Sequence, residues 1–253
     1  MTGSHNPAEY NGGKLYLQRK PVASGDIERV REIALSGKFT QGSGHKLQRD
    51  VASDYLDELV GDVAIAMPLK IVVDAGNGAG GFFAKDVLEP LGADVSGSQF
   101  LEPDGMFPNH VPNPEDADAM RSIQRAVSES NADLGVIFDT DVDRSAVVDS
   151  KGMAFNKNRL IAAMSAITLR DSPGGTVVTD SVTSDALTDF IESRGGRHLR
   201  FKRGYKNVIE KGKEIDNCPL MIETSGRGAS RRRSASRRRW RAAPVVPRPW
   251  CRP

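Results

Sequence analysis

Cysteine is nearly absent: the 253 residues hold two, Cys218 and Cys251, without metal-ligand spacing, which excludes a disulfide scaffold and a cysteine-based zinc site. No apolar run approaches the roughly 20 residues that a helix needs to cross a bilayer, so a membrane-spanning helical protein is excluded. The opening residues, Met1 to Pro7, show no basic n-region and no apolar h-region, hence no visible secretory signal. A soluble protein of a reducing compartment, cytoplasm or plastid, fits. Acidic residues are missing altogether from Arg227 onward, where ten Arg stand, so residues 1–226 hold 25 Lys and Arg against 33 Asp and Glu, a net −8 hidden beneath the overall +2. What is present, 38% hydrophobic residues, is enough core for one large domain or two to three small ones.

Periodicity organises the body. A short strand is expected at 14–18, and Ile27, Val30, Ile33 and Ala34 recur at helical spacing behind Asp26. A second helix is expected over 46–60, with Leu47, Val51, Tyr55, Leu56 and Leu59 on its buried face. From Leu69 the chain alternates: strands at 69–75, 93–100, 134–138, 176–179, 198–202 and 220–223, with helices at 82–91, 115–128, 160–169, 184–193 and 206–213 between them. Such alternation predicts the α/β class, mostly parallel sheets with helices packed on them. Boundaries are expected near 60 and 155. Residues 227–253, with three-Arg runs at 231–233 and 237–239, have no periodicity and are expected to be disordered.

Four segments carry chemistry. Asp139, Asp141 and Asp143 alternate directly after the buried strand 134–138, beside Arg144. Like charges this close raise one another's pKa values unless a cation neutralises them, and Mg²⁺, which takes oxygen ligands and keeps positions for water or phosphate, suits three carboxylates. An EF-hand is excluded by Arg144 and Ser150 at the Gly and Glu positions, and the competing reading is a solvated acidic turn. Thr2-Gly-Ser4-His5-Asn-Pro7, with Lys14 ten residues after the serine, offers a nucleophile or phosphate carrier with His5 or Lys14 moving protons, or an ordinary turn. Gly76-Asn-Gly-Ala-Gly-Gly81 satisfies G-x-G-x-x-G, with Glu102 or Asp104 near the ribose position, but Asp74 would repel a pyrophosphate. A glycine turn that lets a helix pack closely is the preferred reading. Glu223-Thr-Ser225-Gly226 ends a strand, where ligands of α/β sheets bind, and Arg203-Gly204-Tyr205-Lys206 opens a helix that offers backbone N–H groups to an anion.

In this order the motifs resemble the α-D-phosphohexomutase superfamily, the phosphoglucomutase and phosphomannomutase enzymes, over residues 1 to about 229. Thr2 to Pro7 is similar to the phosphoserine loop, Asp139 to Arg144 to the metal loop, and Glu223 to Gly226 to the sugar loop. The stretch Val72 to Gly78 also resembles the family, and Pro103 to His110 resembles its plant and algal branch. The resemblance implies tandem mixed α/β domains: the C-terminal part of a phosphoserine domain at 1–60, a metal-loop domain at 61–155, part of a sugar-binding domain at 156–229, and an Arg-rich tail at 230–253. It implies a mutase of hexose 1- and 6-phosphates working through a hexose 1,6-bisphosphate. Ser4 would carry the phosphate, and Mg²⁺ would sit on the Ser4 phosphate, Asp139, Asp141 and Asp143. Arg144 would add a second cation, Lys14 would act as general acid/base and His5 would assist. Glu223 and Ser225 would grip sugar hydroxyls, and Arg203 to Lys206 would form the specificity loop.

The chain departs from the pattern in three places. It starts two residues before the Gly-Ser pair, it has Arg227 where the family often has His, and nothing from Ser230 onward matches, so the fourth, phosphate-binding domain is expected to be missing. A fragment or a shifted reading frame is therefore expected, with turnover impaired. Two other readings stay open. Asp139-x-Asp141 after a buried strand also resembles the nucleophile motif of haloacid-dehalogenase-type phosphatases, although Asp143 stands where that family prefers Thr or Val and Ser4 is left without a role. The Arg-rich tail could bind nucleic acid non-specifically, in a salt-dependent, sequence-blind way.

Overall fold

The computed structural model describes residues 15–17, 20–22, 24–61 and 64–230. Ser4, His5, Lys14, Cys251 and the tail from Arg231 lie outside the described residues.

Two four-stranded sheets organise the body. In the first, β3 (Leu69–Asp74) is flanked by β4 (Ala93–Asp94) and β5 (Leu134–Phe138), all parallel, and β6 (Ser145–Asp149) closes the edge antiparallel to β5. In the second, β7 (Thr176–Asp180) lies between β8 (Arg197–Phe201) and β9 (Leu220–Ile222), all parallel, and β10 (Gly228–Ser230) closes the edge antiparallel to β9. Before them stand a two-residue pair, β1 (Tyr16–Leu17) with β2 (Lys20–Pro21), and two helices, α1 (Ser24–Ser36) and α2 (Ala52–Val60).

Helix boundaries follow local chemistry. In α3 (Ala117–Ser130) the Asp116 carboxylate accepts from the N–H groups of Asp118 and Ala119, satisfying donors that a helix start leaves orphaned. Asn156 and Ser184 cap α4 (Lys157–Asp171) and α5 (Asp185–Ser193) in the same way, and α6 (Tyr205–Lys213) follows Gly204. Ile123 and Val127 of α3 pack on Val72, Ile137 and Val148 of the first sheet. The second sheet is covered on both faces: Ile161, Leu187 and Ile191 lie against Val177 and Leu220, and Val208 against Val178 and Met221. Full burial of each such side chain stabilises by roughly 1.5–3 kcal/mol.

The expected second helix is shorter than its pattern. The Asp50 carboxylate accepts the Ala52 N–H at 2.9 Å, so the helix begins there and 46–51 stay outside it. Leu47 is consequently 92% exposed, and Val51 and Tyr55 of the expected buried face are exposed too. Ile27, Val30 and Ile33 of α1 are also exposed among the described residues. The strand expected over 93–100 breaks after Asp94, whose side chain accepts the Ser96 N–H before Gly97 turns at φ +97°. It rejoins the sheet only as a bridge between Gln99 and Asp74. The helix expected over 82–91 is a tight turn at Ala79–Gly81 followed by a wide turn at Phe83–Leu88. Three strands, β2, β6 and β10, were not expected. The last two return from the loops that hold the candidate site.

Candidate active site

The site lies where two hairpin turns meet. β5 and β6 are joined through Asp139 to Arg144, and β9 and β10 through Glu223 to Arg227. In each sheet the turn follows the carboxyl end of a parallel strand, where open α/β sheets place their ligands.

The first turn is wound around its acids. Asp139 is fully buried, and its Oδ2 accepts from Arg144 Nε at 2.8 Å while its Oδ1 accepts from the Arg144 amide at 3.0 Å. Arg144 Nη1 donates onward to Asn113 Oδ1 at 3.2 Å. Val142 sits at φ +62°, a conformation that costs a β-branched residue about 1–3 kcal/mol and survives only where the surroundings impose it. The turn so formed brings ligand oxygens of Asp139, Asp141 and Asp143 within 4.8 Å of one another. This set contains only hard oxygen donors, with Asp139 buried, Asp143 half-buried and Asp141 exposed. It fits a hard divalent cation such as Mg²⁺.

The glycine motif at 76–81 supports this turn. A Cβ on Gly78 would lie 2.8 Å from the Thr140 carbonyl oxygen, and the Ala79 N–H donates to that oxygen at 2.9 Å. These glycines therefore do permit close packing, but at Gly78 of one loop on another and not of a helix on its strand as expected. Asp74, read as a repulsive charge, instead accepts from Gly76 N–H and Gln99 Nε2 and pairs with His110 Nε2 at 3.0 Å. Burial opposes a charge on His110, but its bonds to Asp74 and Val111 and the Asp74 charge outweigh that and raise its pKa.

In the second turn, Glu223 Oε1 accepts the Gly204 N–H at 2.7 Å and Oε2 accepts the Ser225 hydroxyl at 3.2 Å. Glu223, Ser225 and Gly204 are thus brought together. Tyr205 lies beside them, its ring 5.6 Å from the Arg227 guanidinium, while the side chains of Arg203 and Lys206 are exposed. Beneath the turn, buried Asp180 accepts the Thr224 hydroxyl through Oδ2 at 2.7 Å, and its Oδ1 has no hydrogen-bond partner among the described residues.

The two turns touch. A Cβ on Gly226, at φ +86°, would stand 2.8 Å from the Ser145 carbonyl oxygen, so only glycine allows this approach. Arg227 Nη2 lies 2.8 Å from each carboxylate oxygen of Asp143. Burial works against the Arg227 charge, yet the Asp143 hydrogen bond and the charges of Asp143, Asp139 and Asp141 raise its pKa. Two cavities flank the contact. One, of about 480 Å³, is lined by Phe138, Asp143, Tyr205 and Arg227, and the other, of about 210 Å³, by Glu115, Arg144, Lys157, Glu223 and Ser225. Glu115 pairs with Lys157 across the second, and that bond holds its carboxyl below the usual range.

Sequence reasoning missed Asn113, Asp180, Glu115 and Lys157, and named Arg227 only as a departure. Asp180 had one usable signal: it directly follows the expected strand 176–179, at the carboxyl end where open α/β sheets bind ligands. The rest are brought in by loops and helix starts, which carry no period.

Comparison with known proteins gives a consistent picture. Residues 53–152 match the model of phosphoglucomutase/phosphomannomutase alpha/beta/alpha domain II, and residues 156–238 that of alpha/beta/alpha domain III. The chain is 36% identical over 226 residues to a phosphomannomutase/phosphoglucomutase of Pseudomonas putida, covering 89% of this chain and 48% of that protein. A phosphoglucomutase of Neisseria gonorrhoeae is 33% identical over 210 residues, covering 82% and 45%. An X-ray structure of a phosphoglucomutase/phosphomannomutase family protein from Burkholderia thailandensis superposes with a TM-score of 0.82 at 33% identity, covering 90% of this chain and 50% of that one. The chain spans about half the length of the curated relatives it matches. Among the described residues, no helix is long and apolar enough to cross a membrane.

Proposed function

Because the chain belongs to the α-D-phosphohexomutase superfamily, the phosphoglucomutase and phosphomannomutase enzymes, we propose that its two hairpin turns are the metal and sugar sites of a mutase interconverting hexose 1- and 6-phosphates. The carrying observation is the direct contact of the two turns, Gly226 on Ser145 and Arg227 on Asp143. Residues 1–60 would contribute the phosphoserine segment, 61–155 the metal domain and 156–229 the sugar domain.

In this reading Ser4 carries the phosphoryl group and hands it to a sugar hydroxyl, giving a hexose 1,6-bisphosphate that turns round and returns its other phosphate. Mg²⁺ held by Asp139, Asp141, Asp143 and the Ser4 phosphate would neutralise charge on the transferring group. Arg144, oriented by Asp139 and Asn113, keeps a guanidinium beside that place without needing to reorganise. In the first transfer Lys14 takes the proton of the attacking sugar hydroxyl while the departing Ser4 oxygen is protonated. In the return transfer the Ser4 hydroxyl loses its proton as it attacks, and Lys14 protonates the departing sugar oxygen, with His5 assisting. Glu223 is held by Gly204 and Ser225, and the lone pairs these leave over suit two sugar hydroxyls in either orientation of the substrate. The grip is therefore the same before and after the bisphosphate turns.

The test is to incubate the chain with hexose 1,6-bisphosphate and Mg²⁺ and map phosphate by peptide mass spectrometry. Phosphate on Ser4, lost in Ser4→Ala, is expected. An unphosphorylated Ser4, or beryllofluoride trapped on Asp139, would overturn the reading.

A further inference from the structure

The ion pair between the turns involves the oxygens that a cation needs. Arg227 Nη2 lies 2.8 Å from both carboxylate oxygens of Asp143, whose ligand oxygen lies within 4.8 Å of those of Asp139 and Asp141. Arg144, the other guanidinium here, is of a different kind. It belongs to the same turn as the acids, bonds Asp139 through both side chain and amide, and stays 3.8 Å from Asp143 Oδ1, beyond hydrogen-bond distance. Arg227 comes from the other sheet. Its side chain is 28% exposed, its Nε has no hydrogen-bond partner among the described residues, and beside Asp143 it has the face of the Tyr205 ring at 5.6 Å.

A guanidinium bridging both oxygens and a divalent cation bound to either compete for the same lone pairs, and the two positive charges repel at close range. The more weakly anchored cation is the one displaced.

We propose that Arg227 competes with the divalent cation for Asp143, so that cation binding at Asp139, Asp141 and Asp143 breaks the charged link between the two turns. This rests on the metal site proposed above and makes that site a control on how tightly the two sheets are joined. Ser145 and Gly226 remain in contact, so the link is loosened at one point and not undone. Coupling is reciprocal: whatever Arg227 costs the cation in affinity, the cation costs the Arg227–Asp143 pair in stability.

The test uses Mn²⁺ alone as ligand, titrated into the full chain and read by the loss of the free-ion electron paramagnetic resonance signal. Arg227→Gln should bind Mn²⁺ about tenfold tighter than the unaltered chain, with Arg227→Lys between them. Equal or weaker binding by Arg227→Gln overturns the proposal, including the case where that variant merely melts at a lower temperature, which a purely structural role predicts. Amide exchange in the unaltered chain needs no variant to fold. Saturating Mg²⁺ should speed exchange over Glu223 to Gly228, and unchanged or slower exchange overturns the proposal. Absence of Mn²⁺ binding in all three chains overturns the metal site and this inference together, while phosphate on Ser4 is read independently.

Discussion

The two sheets share one plan and differ in what their hairpin turns carry. Each has three parallel strands and an antiparallel edge strand that returns from a turn at the sheet's carboxyl end. The first turn gathers three carboxylates and neutralises the buried one with an Arg of its own. The second turn carries one carboxylate, satisfied by a backbone amide and a hydroxyl, and sends its Arg across to the first. On the proposed reading, the same scaffold serves a cation in one turn and sugar hydroxyls in the other. The difference lies in five or six residues of turn, with the sheets beneath left alike.

The strongest way to break the comparison is to remove the buried acid of the first turn. Asp139→Asn leaves Arg144 without its buried counter-charge, which should cost about 3–5 kcal/mol of stability in denaturant unfolding and abolish Mn²⁺ binding. The matching change beneath the second turn, Asp180→Ala at the end of β7, removes the acceptor of the Thr224 hydroxyl and should cost about 1–3 kcal/mol while Mn²⁺ binding persists. Gly226→Ala attacks the contact between the turns. It should destabilise by about 1–3 kcal/mol, and more than Gly92→Ala, which has a similar φ of +98° but open space around it.

The smallest effect, and the sharpest contrast, is in pH. His110, in the first sheet's domain, has a raised pKa, so its contribution to stability is full below the unfolded value near 6.5 and is lost as pH rises through the folded value. His198, in the second sheet, is pushed down to about 4 by burial and the Arg200 charge. Its folded form excludes a proton that the unfolded chain accepts. Its contribution is therefore full above about 6.5 and is lost as pH falls towards 4. Amide exchange should show the first domain loosening at high pH and the second at low pH. A common pH profile for both would contradict this.

What the sequence made legible follows from where the information resides. Strands 134–138 and 220–223 and the acids after the first are read from apolar runs and local charge, because burial on both faces demands such runs. The antiparallel partners β6 and β10 were not read. Ser145–Asp149 alternates only weakly, and Gly228–Ser230 has three small residues whose pairing depends on a distant strand. The apolar stripe of 46–60 promised burial that the described residues supply only in part, with Leu56 and Leu59 half-buried and Leu47, Val51 and Tyr55 exposed, because a stripe reports a preference and the partner decides. In the site, Asp139, Asp141, Asp143 and Glu223 were legible as types in a row. The pairing of Asp143 with Arg227 was not, since 84 residues separate them and only the meeting of the two sheets brings them together.

The measurement that bears most directly on the account is an anomalous-scattering map of crystals of the full chain grown with Mn²⁺. The account predicts one strong peak enclosed by the carboxylates of Asp139, Asp141 and Asp143, with Arg227 withdrawn from Asp143. A map without density at that point, and with the Arg227–Asp143 pair intact, would contradict it.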